Sequence, residues 1–474
     1  MVATKNIKIS VENYGPIAEA KDIELCPLTV FVGPSNTGKS YLAILIYALL
    51  RSSRLGNVTP VFSERIFRRR MNLFDISDKK PANELVEFLK KLSGKDMENF
   101  SFLGLPENLQ NWVKTEVSQQ IAQSFHDEIS RCVGTSTGKD PLISDEFSLS
   151  YQDTKKTFKI GSLSKNPDIE INTPSSQQKS PKLSKFSGLS GLLGDQFPVE
   201  VIAREFIYSI HRLIDDHSNE IEPYYLPAAR TGIMQSHQAI VGALLKRATL
   251  AGLEPVSVPT LTGILSDFLY EIILMDTSNP LNQNIASVAA KMEENILHGS
   301  IKVEKSGANQ YPQFFYKQSG LEVPLVRSSS MVSELAAIVL FIKHTIDKGN
   351  LLIIEEPESH LHPAAQREIA STIVQLIRVG VKVLVTTHND YFLEQISNHV
   401  RLSQIGESER NNRTALFEQE IAAYSFGDKN EKGTIVQRLA FDQESGLSPK
   451  DHERVSSDLY NETAEILERT LNEK

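Results

Sequence analysis

Cysteine is scarce in this chain: two in 474 residues, Cys26 and Cys132. Two thiols cannot frame a disulfide-stapled scaffold or complete a four-ligand zinc site, and such low usage suits a reducing compartment. Positive charge is not in excess either. Fifty Lys and Arg against 59 Asp and Glu leave a net charge of −9, so no global basic field draws in nucleic acid, and contact with DNA or RNA needs a local patch. Long apolar runs are missing. The longest, near residues 41–50, falls far short of the ~20 residues of a membrane span. The N-terminal stretch holds no apolar segment of the signal-peptide kind, and no internal repeat is visible. These absences predict a soluble, cytoplasmic protein that is not secreted and has no membrane partner. At ~150 residues per domain the length gives about three domain equivalents, or one large core with insertions.

What is present is an alternation of short apolar strands and helices. Residues 7–11 alternate, and Leu28–Val32 (LTVFV) is apolar but for Thr29, as a buried central strand is. A glycine loop and a helix to about residue 50 follow. Residues 52–200 break that pattern: a basic run with Arg65, Arg68, Arg69 and Arg70, helical segments at 83–92 and 106–132, short strands at 147–151 and 157–160, and a Ser/Lys/Gly/Pro-rich stretch at 174–194 that reads as a linker. An apolar strand returns at 224–227, ending in Ala228-Ala229-Arg230. Helices are expected at 235–250, 259–275 and 283–297, and an antiparallel pair at 300–304 and 314–317. A dense block follows: helix 328–344, strand 351–354, helix 363–379, strand 381–385 and a helix from Asp390. Such alternation argues for a parallel α/β sheet. Short strands and an amphipathic helix at 451–471 close the chain.

Three strand ends carry chemistry. Gly33-Pro34-Ser35-Asn36-Thr37-Gly38-Lys39-Ser40 fits the phosphate-loop pattern G-x-x-x-x-G-K-S. Its glycines let backbone N–H groups point at phosphate oxygens, Lys39 supplies a point charge, Ser40 offers a hydroxyl to Mg²⁺, and the helix N-terminus favours the anion. The strand 351–354 runs into Glu355-Glu356, where ligands bind in open α/β sheets. Glu355 is placed to hold Mg²⁺, directly or through water, and Glu356 to act as general base on the attacking water. Thr386-Thr387-His388 ends the next strand, and His388 there can donate to a γ-phosphate. Ser328-Ser329-Ser330 opens the preceding helix. Its hydroxyls suit a phosphate, or equally a capping box with Ser330 as N-cap and Ser333 or Glu334 reaching back.

These elements, in this order, resemble the ABC-type ATPase head, in the branch of the overcoming-lysogenization-defect (OLD), RecF-like and SMC-like ATPases. The stretch 7–40 (IKISVENYGPIAEAKDIELCPLTVFVGPSNTGKS) is similar to that branch's opening, 355–363 (EEPESHLHP) to its Walker B and D-loop, and 225–230 (YLPAAR) to one of its strand endings. The resemblance implies an α/β P-loop fold, a mixed sheet with an antiparallel β subdomain and helical insertions. It implies two heads, in a dimer or higher oligomer, packed head to tail around two ATP and Mg²⁺. In each site Gly33, Pro34, Ser35, Asn36, Thr37, Gly38, Lys39 and Ser40 cradle the nucleotide, Ser40 and Glu355 serve the metal, Glu356 and His388 catalyse, and Ser329 and Ser330 come from the other head. Gln235 or Gln238 is the Q-loop residue, and Arg230 approaches the nucleotide. Two positions depart from the pattern: Glu355 replaces the usual Asp, and Met331 a usual Gly.

The layout expected from these landmarks is an ATPase lobe with Walker A at 1–51, a helical and β insertion at 52–200, a return strand and helical lobe at 201–327, signature to switch His at 328–400, and C-terminal strands and helix at 401–474. No sustained heptads appear in 52–223, which argues against a long coiled-coil rod. No D-x-D follows His388, so no nuclease activity of the chain's own is expected. The resemblance implies an ATPase serving as sensor or scaffold for a separate effector such as a Toprim or HNH nuclease, answering a phage-encoded trigger, as in PARIS- or Septu-type defence. The alternative is a DNA-repair or recombination ATPase that touches DNA through the basic run.

Overall fold

The computed structural model describes residues 7–52, 79–91, 104–134, 142–152, 157–161, 202–203, 206–207, 221–250, 261–305, 312–410 and 413–472. The basic run 65–70 and the linker 174–194 lie outside them. The strands are β1 (Ile7–Tyr14), β2 (Ile17–Leu25), β3 (Leu28–Val32), β4 (Ile143–Gln152), β5 (Thr157–Gly161), β6 (Pro223–Leu226), β7 (Ser300–Lys305), β8 (Pro312–Gln318), β9 (Leu321–Pro324), β10 (Leu351–Glu355), β11 (Lys382–Thr387), β12 (Ile421–Asn430) and β13 (Gly433–Leu439). The helices are α1 (Lys39–Ser52), α2 (Lys79–Lys90), α3 (Glu107–Val133), α4 (Arg230–Leu250), α5 (Gly263–Leu274), α6 (Gln283–Met292), α7 (Ser330–His344), α8 (Pro363–Arg378), α9 (Asp390–Arg401) and α10 (Lys450–Asn472). No described helix is long and apolar enough to cross a membrane.

The chain divides into two compact units, one within residues 1–11, 48–129 and 143–220, the other within 12–47, 130–142 and 221–474. In the first unit, Leu85, Val86 and Leu89 of α2 pack with Leu109, Val113 and Val117 of α3 and with Ile202, Phe206 and Ile207. The spacing of three and four residues is the apolar stripe of a surface helix. The hairpin β4–β5 is antiparallel, and His126 Nε2 lies 3.1 Å from the Gly161 carbonyl.

The second unit is α/β and holds every candidate site residue. Strands β6, β10, β11, β3 and β12 are parallel neighbours in that order, and β13 then runs antiparallel to β12 and parallel to β2. All five residues of β3 and of β10 are buried, the near-continuous apolar pattern of strands covered on both faces. Helix α7 is buried at every position from Val332 to Ile342 and packs with α8, α9, α5 and α6 into one core over the sheet. A separate sheet, β7–β8–β9, is antiparallel throughout. It holds the expected pair plus a third short strand. The helix expected at 283–297 is α-helical to Met292 and finishes as a π turn, Glu293–Leu297. There Glu293 is tied to Lys343 at 2.5 Å and accepts from Ile301 N at 2.8 Å.

Candidate nucleotide site

Pairing in register brings the C-terminal ends of the parallel strands level. Val32 of β3 lies opposite Thr387 of β11 and Ser425 of β12, Thr386 opposite Glu355 of β10, and Ile354 opposite Leu226 of β6. The loop after β3 and the acids ending β10 are therefore two strand spacings apart, about 10 Å, with His388 between them. Segments near residues 33, 228, 356 and 388 share one rim.

The loop at Gly33–Ser40 has the conformation its residue types allow. Gly33 has φ of +146°, Asn36 +59° and Gly38 +105°. Asn is the non-glycine residue that tolerates the left-handed region through its short side chain. At Gly38 a Cβ would stand 2.7 Å from Ile17 Cγ1, so both the dihedral and the close packing require glycine. Lys39 is 7% exposed and donates from Nζ to the carbonyls of Gly33 (2.7 Å) and Pro34 (2.6 Å). Thr37 Oγ1 donates to Pro34 O at 2.8 Å. Pro34, Ser35, Asn36 and Ser40 are exposed, and Ser40 lies in the first turn of α1.

The β10 end is more crowded. Glu355 is buried; its Oε1 accepts from Tyr225 Oη–H and its Oε2 from Ala228 N–H, both at 2.7 Å. Burial, then the Glu355 charge, pushes the Tyr225 phenol well above its ordinary pKa, so it remains the donor. Glu356 adopts φ of +43°, a region costing a non-glycine residue of order 1–3 kcal/mol and kept where surroundings over-determine it. Its N–H donates to Thr386 O (2.9 Å), its carbonyl accepts from Arg230 Nη2 (3.0 Å), and its Oε2 accepts from Ser359 Oγ (3.1 Å). Glu356 Oε1 faces His388 Nδ1 at 3.4 Å, with the His388 side chain half exposed.

Arg230 corrects an expectation. It is fully buried, and its guanidinium is directed into the chain: Nη1 on Glu355 O (2.6 Å) and Pro227 O (3.3 Å), Nη2 on Glu356 O, and Nε 2.9 Å from Glu334 Oε2. Burial lowers its pKa, and Glu334, then Glu358, Glu355 and Glu356, pull it back up. Its donors are spent holding the two acids' main chain, so it is a strut behind the rim rather than a group approaching nucleotide. Glu358 is buried too, with burial raising its pKa and the Thr387 hydroxyl opposing that rise.

The serines before α7 are placed differently. Ser329, not Ser330, is the N-cap, accepting from Val332 N at 3.4 Å. Ser333 turns inward to Leu325 O (3.3 Å) and Glu334 to Arg230, so neither reaches back as a capping box. Ser329 and Ser330 are exposed, and among the described residues neither bonds to the phosphate loop or the paired acids. Gln235 Nε2 donates to Ser333 Oγ at 3.3 Å; the Gln238 side chain lies outside the described set. Tyr225, Glu334, Glu358 and Thr387 were not picked out as site residues by sequence reading. A glutamate within the apolar run of α7 was the one available signal, since a buried charge requires a partner.

For Mg²⁺ the donor chemistry fits. Each Glu355 oxygen accepts one hydrogen bond, leaving acceptor capacity toward a hydrated ion, and Ser40 is exposed in the first turn of α1. No cluster of three His, Cys, Asp or Glu able to hold an ion occurs among the described residues. Mg²⁺ bound through one carboxylate, water and substrate phosphates needs none.

No curated protein sequence matches the chain. Solved structures with a similar trace include the Smc head bound to the C-winged helix domain of ScpA (11% identity, 92% of this chain, 98% of that chain, TM-score 0.39). Others are the Smc head with an extended coiled coil from Pyrococcus furiosus, bound to the C-terminal domain of ScpA (10%, 96% and 100%, 0.36), and the SMC head domain from Thermotoga maritima (10%, 92% and 99%, 0.34). The model of the AAA ATPase domain family matches residues 7–393. That span takes in β3, β6, β10 and β11 with the loop and the acidic and histidine residues at their ends, and the chain belongs to the AAA ATPase domain family.

Proposed function

We propose that this chain binds and hydrolyses MgATP as an ABC-type head, paired head to tail with a second copy. The observation that carries the reading is the shared rim: phosphate loop, paired acids and histidine at the level ends of neighbouring parallel strands. In this reading the backbone of Gly33–Gly38 and Lys39 bind the phosphates, with the Lys39 ammonium moving from its loop carbonyls to phosphate oxygens. Ser40 and Glu355 hold Mg²⁺, whose chemistry is to neutralise charge on the β- and γ-phosphates. Glu356 takes a proton from the attacking water, and His388 faces Glu356 from the next strand. Ser329 and Ser330, exposed on a helix N-terminus and unattached to their own rim, are suited to the partner's γ-phosphate. Closure around ATP would change the contacts between copies and so hold or release a separate effector, a Toprim or HNH nuclease in anti-phage defence.

The test is ATP turnover by the purified chain and by Glu356→Gln. Removing a general base costs ~10²–10⁴-fold, so the variant should bind ATP, hydrolyse it at least a hundredfold more slowly and accumulate as a nucleotide-dependent dimer in light scattering. Wild-type turnover in Glu356→Gln rejects the assignment. Co-purification of the adjacent gene's product tests the effector.

A further inference from the structure

Glu358 is a costly residue. It is 2% exposed, and its buried Oε2 has no hydrogen-bond partner among the described residues. An unsatisfied buried polar atom is destabilising, and an apolar side chain of similar size would be the more stable choice. Besides a bond with its own backbone, the carboxyl accepts a short bond from another strand end: Thr387 Oγ1–H donates to Glu358 Oε1 at 2.5 Å. The same Thr387 oxygen accepts from Asn389 N–H at 3.1 Å, and Asn389 caps α9 through its own side chain. The chain of bonds Asn389 N–H to Thr387 Oγ1–H to Glu358 therefore brackets His388, the residue between them. Among the described residues the His388 side chain has only the Glu356 contact, at 3.4 Å, and its ring is half exposed. Glu358 lies on the same short turn as Glu356. One carboxyl thus links the turn carrying one member of the pair to the main chain carrying the other.

We infer that Glu358, acting through Thr387, is a positioning residue that fixes the peptide on both sides of His388 so that the imidazole meets Glu356. The inference rests on the hydrolytic reading above. Displacing a reacting group by about 1 Å costs up to ~10²-fold in rate. Loss of the link should therefore lower kcat about ten- to a hundredfold and leave the KM for ATP within about twofold.

The experiment is steady-state ATP hydrolysis by the full chain and by Thr387→Val, Thr387→Ser and Glu358→Met, each also made in a His388→Ala background, with melting temperatures alongside. Thr387→Val and Glu358→Met should lower kcat, and Thr387→Ser, which keeps the hydroxyl, should restore it. In His388→Ala neither substitution should reduce the residual rate further, because residues acting as one unit are not additive. Wild-type kcat in a folded Thr387→Val or Glu358→Met overturns the inference. So does a full-size loss in the His388→Ala background, which would place the effect elsewhere. An inactive wild-type chain rejects the hydrolytic reading itself, whereas an active wild type with unaffected variants rejects this inference alone.

Discussion

Replacing Arg230 by Met should be among the most damaging single changes in the second unit. Arg230 is the largest fully buried side chain among the described residues, set against a Glu334 that is 3% exposed. Removing one member of a buried pair strands the other charge and costs ~3–5 kcal/mol. The Glu355 and Glu356 carbonyls lose their donors as well, at about 1 kcal/mol each. The sum is on the order of 5 kcal/mol, a fall in Tm on the order of 10 °C for a domain of this size. Urea denaturation followed by circular dichroism should show a lower midpoint with an unchanged slope. The double variant Arg230→Met/Glu334→Leu should recover about half the loss, since no charge is then left unpaired. A single variant within 1 kcal/mol of wild type, or a double as unstable as the single, refutes the strut.

Lys39→Ala should abolish ATP binding measured by calorimetry while leaving Tm within a few degrees, since its bonds to the Gly33 and Pro34 carbonyls are local to the loop. Gly38→Ala places a Cβ 2.7 Å from Ile17 at φ of +105° and should cost ~1–3 kcal/mol from overpacking, with weakened nucleotide binding. Tyr225→Phe removes the donor on Glu355 Oε1; the Mg²⁺ concentration giving half-maximal ATP binding should shift, and an unchanged titration argues against Glu355 as a metal-site residue. His399 is buried, and burial lowers its pKa against the opposing pull of the Thr414 carbonyl. Its folded pKa is therefore below the unfolded value of ~6.5. The unfolded chain takes up the proton first, so stability holds above that value and falls as pH drops below it. The Tm decrease from pH 7.5 to 5.5 should be smaller in His399→Gln.

What was legible in the sequence is what the chain writes contiguously. Strand, loop and helix follow one another at β3, Gly33–Ser40 and α1, and β10 with Glu355-Glu356 and β11 with His388 needed only short windows. Arg230 was misread because its partner Glu334 is 104 residues away, and no local periodicity says which way a long side chain turns. The cap of α7 fell one residue early, at Ser329 within a run of three serines, where composition offers no way to choose. Glu358 was invisible for another reason: an acid beside two candidate acids looks like a solvated turn until burial is known. The π turn at Glu293–Leu297 likewise carries a tertiary ion pair with Lys343 that no local pattern announces.

The central strand has a consequence for biosynthesis. β3 spans residues 28–32 but hydrogen-bonds to β11 and β12, whose residues begin at 382 and 421. At ~5–20 residues per second, a ribosome takes tens of seconds between making LTVFV and making the strands that flank it. Throughout that interval a mostly apolar strand segment has both edges open, so newly made chains are exposed to mispairing with one another, and slowing translation before residue 382 should lower the yield of soluble protein.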